Sequence, residues 1–195
     1  MQNIIAVMGG YLCGSIPFGL LLAKAAGLGD IRKIGSGNIG ATNVLRTGNT
    51  KIAALTLLCD VLKGFIPVVL AQMYFGPLAA MAAGFAALAG HVFPVWLGFK
   101  GGKGVATALG IMLGWSWPVA LIALVTWVFV FWARRISSLS ALSAALIGVP
   151  AALYFAPPLW PQVAILGAVI WVTHRTNIQR LIAGSEPKSS FKKTT

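Results

Sequence analysis

The chain has 195 residues, 58% of them hydrophobic and 9% charged, with 15 Lys plus Arg against 3 Asp plus Glu and a mean hydropathy of +0.86. Water-soluble domains carry about a quarter charged residues, so this composition belongs in a lipid bilayer and excludes disorder, collagen and secreted disulfide scaffolds. The formal charge of +12 is assigned to basic loops beside anionic headgroups rather than to nucleic acid.

Apolar runs long enough for a membrane cover 3–23, 52–75, 78–98, 104–133, 136–155 and 159–173. The first has no basic residue before it and several after it, the reverse of a cleaved signal peptide, so it is expected to remain as a transmembrane helix. Cys13 and Cys59 lie inside apolar runs, where a free thiol behaves as a small inert hydrophobe. The run 104–133 is too long for one crossing, since 30 residues make roughly 45 Å of helix against about 30 Å of hydrocarbon. Trp115, Ser116, Trp117 and Pro118 interrupt it. Tryptophan favours the headgroup level and proline starts helices well, so these four read as an interfacial turn.

Charge counting supports two passes there, because Lys and Arg accumulate in cytoplasmic loops. With seven helices and the N-terminus outside, Lys24, Arg32, Lys33, Arg46, Lys51, Lys100, Lys103, Arg134, Arg135, Arg175, Arg180, Lys188, Lys192 and Lys193 all fall on the cytoplasmic side, and Lys63 lies within a span. A single pass would divide the same loop charges equally between the two faces. Merging 136–173 into one helix would bury Pro157, Pro158 and Pro161, which is costly. The expectation is an all-α integral membrane protein of seven transmembrane helices, several of them short, with the N-terminus outside and the C-terminus cytoplasmic. It forms one transmembrane domain over 1–195, with a flexible basic tail from about 184 to 195. Spans of only about fifteen residues imply local thinning or a site recessed into the cytoplasmic leaflet.

The inner connections hold nearly all the polar chemistry. In 34–46, Gly35, Gly37 and Gly40 let the backbone approach a ligand, Ser36, Asn38, Thr42 and Asn43 offer neutral hydrogen bonds, and Arg46 offers a bidentate fork. Such a segment suits an anion, or it is a polar loop capping a short interfacial helix. In 98–107, Lys100, Gly101, Gly102, Lys103 and Gly104 open a helix, where free N–H groups and the helix dipole favour a phosphate. It is not a Walker A loop, because Gly104 stands where Ser or Thr would bind magnesium and no strand precedes it.

Arg134 and Arg135 are followed by Ser137 and Ser138, which open another helix; the arginines alone are a common membrane-boundary anchor. In 174–180, His174 and Asn177 share a helical face with Thr173 and Arg180 nearby, and the histidine can act as base, phosphate donor or helix cap. Within the membrane, Asp60 and Lys63 are three apart on one helix and read as a structural ion pair. Three scattered carboxylates and two distant histidines give no metal site. Gly10, Gly14 and Gly84 read as helix-packing positions.

Taken together, Ser36-Gly-Asn-Ile-Gly-Ala-Thr-Asn-Val-Leu-Arg46, Gly90-His-Val-Phe-Pro94 with Phe99-Lys-Gly-Gly-Lys-Gly-Val-Ala106, and His174-Arg-Thr-Asn-Ile-Gln-Arg180 resemble the bacterial acyl-phosphate:glycerol-3-phosphate acyltransferase family over nearly the whole chain. The resemblance implies transfer of a fatty acyl group from acyl phosphate to the 1-hydroxyl of sn-glycerol 3-phosphate in the bacterial inner membrane, giving lysophosphatidate and inorganic phosphate as the first step of phospholipid synthesis. It implies catalytic roles for Ser36, Arg46, Lys103, His174 and Asn177. Gly37, Asn38, Gly40, Thr42, Asn43, Lys100, Gly101, Gly102, Gly104, Ser138 and Arg175 are the expected substrate and phosphate contacts, Ser138 being preferred to Ser137 by the pattern Arg-x-x-Ser-Leu. The partners expected are glycerol 3-phosphate, acyl phosphate and membrane lipid, with no cofactor, metal or nucleic acid and a monomeric chain. The residues support this chemistry independently: two phosphates of charge near −2 require several fixed cations, and the mixed anhydride already carries a good leaving group. A small anion transporter is the alternative, disfavoured because the anion-binding elements lie on one face and the outer loops carry no charge.

Overall fold

The structure, a computed structural model, describes residues 1–189. Its helices are α1 (Gln2–Gly14), α2 (Phe18–Ala25), α3 (Ala41–Leu45), α4 (Thr50–Phe75), α5 (Pro77–Val92), α6 (Val105–Trp115), α7 (Trp117–Arg134), α8 (Ser137–Phe155), α9 (Trp160–Thr173) and α10 (Arg175–Ile182). Among the described residues, five segments are long and apolar enough to cross a membrane: Gln2–Ala25, Thr50–Phe75, Pro77–Leu97, Trp117–Arg134 and Ser137–Phe155. Two shorter apolar helices, Val105–Trp115 and Pro157–Thr173, accompany them. The long run breaks where its tryptophans and proline predict: α6 stops at Trp115, Ser116 is extended, and Pro118 lies in the first turn of α7, where its missing N–H costs no hydrogen bond.

The first run is not one helix. It breaks between Gly14 and Phe18, with Pro17 as the cap of α2, because proline cannot donate to the helical ladder. The carbonyl of Ile16 at the break accepts from Lys63 Nζ at 2.8 Å as well as from the Phe18 N–H at 3.0 Å. Lys63 also meets Asp60 Oδ1 at 2.7 Å, and the two side chains are 1% and 4% exposed. The expected intramembrane pair therefore exists, and it also ties α4 to the α1–α2 break.

Small residues let the helices approach closely. A Cβ on Gly10 or Gly14 would strike the backbone of Ala83 or Ala87 on α5, and one on Gly84 would strike the Trp115 ring. A second, smaller core of Leu20, Ala23, Ile31, Ile39, Val44 and Ala53 lies beneath residues 34–46 and anchors them to α2 and α4. Helices α4 and α5 join at Gly76, α6 and α7 at Ser116, and α8 and α9 through Ala156 and a 3-10 turn at Pro157–Leu159. The polar segments sit at the opposite helix ends and touch one another there.

Residues 190–195 lie outside the described residues, while Ser189 N–H donates to the carbonyl of Arg135 at 2.7 Å and Glu186 returns to the polar end of the bundle. A single carboxylate in a basic segment finds cations and hydroxyls there, which hold 185–189 against the helices.

Candidate active site

The first polar segment is built around Asn43, which is 2% exposed. Its Oδ1 accepts from the Ser36 N–H at 3.1 Å and lies 3.4 Å from the Ser36 hydroxyl, while Nδ2 donates to the carbonyl of Ile31 at 2.7 Å. Both ends of this amide are engaged within the segment, so Asn43 supports the loop instead of presenting itself to a ligand. Asn38 does similar local work, its Oδ1 accepting from Gly40 N–H at 2.9 Å. Gly35 has φ +57°, and a Cβ there would meet Asn43 and the Arg46 side chain. Glycine at 35 thus lets Arg46 fold back across the loop. Ser36 and Gly37 remain exposed at its crest, and Thr42 Oγ1 lies 3.2 Å from Ser137 Oγ, joining the segment to the start of α8.

The second segment departs from the expected cradle. Gly101 and Gly102 do not aim their N–H groups at a ligand: they donate to the carbonyls of Val92 and His91, each at 3.0 Å, and so satisfy the end of α5. Lys100 is exposed. Gly104, with φ +83°, is the residue before α6, whose first-turn N–H groups lack intrahelical partners. Lys103 turns inward: its Nζ donates to Asn177 Oδ1, and its carbonyl accepts from Thr173 Oγ1 at 3.0 Å.

Ser138, Asn177, Arg180 and Glu186 complete the cluster. Glu186 Oε1 accepts from Ser138 Oγ at 2.7 Å and from Asn177 Nδ2 at 2.6 Å, and Oε2 accepts from Arg180 Nε at 2.6 Å. Sequence reasoning missed Glu186, although its being one of only three acidic residues was the available signal. It also placed Arg175 in the site. The structure ends α9 at Thr173 and starts α10 at Arg175, so Asn177 and Arg180, three apart, share a face while Arg175 points roughly opposite and is exposed.

His174 sits between the two helices, 3% exposed. Its Nδ1 is 2.8 Å from the carbonyl of Ile170. A carbonyl only accepts, so Nδ1 carries the proton and the neutral ring keeps its lone pair on Nε2. Burial, reinforced by the Lys103 charge, pulls the His174 pKa down to about 4 against the opposing effects of the Ile170 hydrogen bond and Glu186. Burial also pulls Lys103 down to about 8; Glu186 opposes this, while the positive charges of Arg180 and Arg46 add to it. Glu186 goes the other way: burial alone would raise it, but hydrogen bonds from Ser138, Asn177 and Arg180, with the Arg180 charge, hold it below the usual carboxylate range. Arg46, Lys103, Ser138, His174 and Asn177 are thus gathered into one cationic cluster with Arg180 and Glu186.

Residues 4–184 match the family model described as glycerol-3-phosphate acyltransferase. A glycerol-3-phosphate acyltransferase of Mesorhizobium japonicum is 58% identical over 191 residues, covering 97% of each chain. The one from Brucella anthropi is 54% identical, covering 96% of this chain and 93% of its own. Among solved structures, the glycerol 3-phosphate form of PlsY (YgiH), an integral membrane glycerol 3-phosphate acyltransferase, matches with a TM-score of 0.91 at 39% identity, covering 97% of this chain and 96% of that one. The lysophosphatidic acid form matches with a TM-score of 0.89 at 38% identity, covering 96% and 95%.

Proposed function

The chain belongs to the glycerol-3-phosphate acyltransferase family, and on that premise we propose that it transfers a fatty acyl group from acyl phosphate to the 1-hydroxyl of sn-glycerol 3-phosphate. The observation that carries this reading is the convergence of Arg46, Lys103 and Arg180 from three separate segments, close enough for both arginines to lower the Lys103 pKa. A site with three mutually repelling cations and one carboxylate gains most from a multiply charged anion, and both substrates carry one.

The step is an acyl transfer. The 1-hydroxyl oxygen attacks the acyl carbonyl carbon, the new ester C–O bond forms, the C–O bond to phosphate breaks, and inorganic phosphate leaves with the electron pair. Lys103 and Arg46 bind phosphate and stabilise the developing oxyanion, while Asn177, fixed between Lys103 and Glu186, keeps the lysine in place. Ser36, Ser138 and the first turn of α6 offer further contacts to substrate oxygens. The hydroxyl proton goes to His174 Nε2: the ring is neutral in the free protein, and dianionic phosphate bound beside it raises its proton affinity toward the range where a general base works best.

The membrane arrangement proposed is seven crossings, counting the two short apolar helices, with the site on the cytoplasmic side of the bacterial inner membrane and the chain acting as a monomer. The test supplies purified protein with labelled glycerol 3-phosphate and palmitoyl phosphate in EDTA, beside a palmitoyl-CoA arm. Labelled lysophosphatidate from acyl phosphate alone is expected. No product from folded protein, or product from the CoA ester alone, contradicts the proposal.

A further inference from the structure

We infer that His91 is a positioning residue for this reaction: its imidazole, wedged against Gly102, sets the register of 101–103 and hence the place of Lys103. The inference rests on the function proposed above, with Lys103 taken to hold the phosphate of glycerol 3-phosphate. His91 lies in the last turn of α5 and is 4% exposed. The Gly101 and Gly102 N–H groups donate to the carbonyls of Val92 and His91, so the loop is folded back on the turn that carries the ring.

The side-chain contact is more specific than those backbone bonds. A Cβ built on Gly102 would collide with Nε2, Cε1 and Cδ2 of His91, and its three nearest atoms all belong to that one ring. Gly102 is not among the residues with positive φ, so its backbone would accept any L residue. The imidazole is what a side chain there meets first. On its other side the ring is enclosed: Nδ1 is sealed from solvent with no hydrogen-bond partner among the described residues, and it faces Asp60 Oδ1 at 3.9 Å, the carboxylate that Lys63 holds at 2.7 Å. One peptide beyond Gly102 comes Lys103, whose carbonyl is clasped by Thr173 and whose amine meets Asn177. A displacement of about 1 Å at Gly102 therefore reaches the phosphate-binding amine, and misplacement on that scale costs up to about 10²-fold in rate.

The test is a double-variant cycle on glycerol 3-phosphate KM, acyl phosphate KM and kcat, with folded protein quantified by its thermal transition. Gly102→Ala is expected to raise the glycerol 3-phosphate KM about tenfold or more, with the acyl phosphate KM held within about twofold, by displacing Lys103. His91→Ala alone is expected to raise the same KM several fold by leaving the loop unsupported, and in the double variant the new methyl occupies part of the space the ring vacates, so its KM is expected to fall below that of Gly102→Ala. Should Gly102→Ala alone fail to fold, recovery of folded, active protein in the double variant supports the same contact. An unchanged KM in Gly102→Ala, losses that multiply in the double variant, or no recovery of folding overturns the inference. An inactive wild-type protein would instead overturn the function on which it rests.

Discussion

The two glycine-rich segments look alike in sequence, but the glycines nearest their cations serve different ends. In 34–46 glycine is a matter of conformation: Gly35 and Gly37 have φ of +57° and +70°, and the turn at Gly35 brings Arg46 back over the loop. In 98–104 the glycines at 101 and 102 are a matter of space, pressed on the end of α5 with their N–H groups already bonded there. One segment therefore delivers a permanently charged guanidinium through its backbone, and the other delivers a lysine through packing. The second cation is the tunable one, since burial and its cationic neighbours leave Lys103 with a pKa of about 8.

Neither segment supplies the proton acceptor, so the largest loss is expected outside both. His174→Ala should lower kcat by about 10²–10⁴ with little change in either KM, the usual range for removing a general base. A loss of only a few fold would move the proton to the substrate phosphate and leave the two loops as the whole catalytic apparatus.

Next in size is Gly35→Ala, expected to lower kcat/KM by about 10- to 100-fold through displaced Arg46. Unlike Gly102→Ala, it should not be recovered by shortening a neighbour, because positive φ remains strained for alanine whatever the space. Recovery in a Gly35→Ala, Asn43→Ala double variant, which removes the carboxamide the new methyl meets, would break the distinction between the segments.

The charge difference gives a pH test. Lys103 is a cation below its pKa and loses that charge as pH rises through about 8, so the KM for glycerol 3-phosphate should rise roughly tenfold between pH 7 and 9. Lys103→Arg, always protonated, should flatten that limb even if its overall rate is lower. The smallest effect belongs to the contact between the first segment and α8. Thr42→Val removes one hydroxyl contact, to Ser137, and should cost about 0.5–1 kcal/mol, read as about two- to fivefold in kcat/KM.

What the sequence made legible follows from how far each signal reaches along the chain. Helix ends marked by local chemistry were readable: the break at Ser116, the ion pair of Asp60 and Lys63 three residues apart, and the close-packing glycines at 10, 14 and 84 all depend on neighbours within a few turns. The break at Pro17 was hidden because its surroundings stay apolar on both sides. The role of Gly102 was not legible, since the imidazole that excludes a side chain there is eleven positions upstream. Arg180, expected beside His174 and Asn177, is there, while Arg175 is two positions from Asn177 on the same helix and so falls on nearly the opposite face. Glu186 bonds to Ser138 across 48 positions, and no local pattern in a basic tail announces such a contact.

Calorimetric titration of glycerol 3-phosphate without acyl donor reads out whether the cluster around Lys103 holds its phosphate. The wild-type protein should bind, and folded Lys103→Ala should bind about 10²–10³-fold more weakly, the loss expected when a preorganised charged donor is removed. Equal affinity in the two proteins would place the phosphate elsewhere.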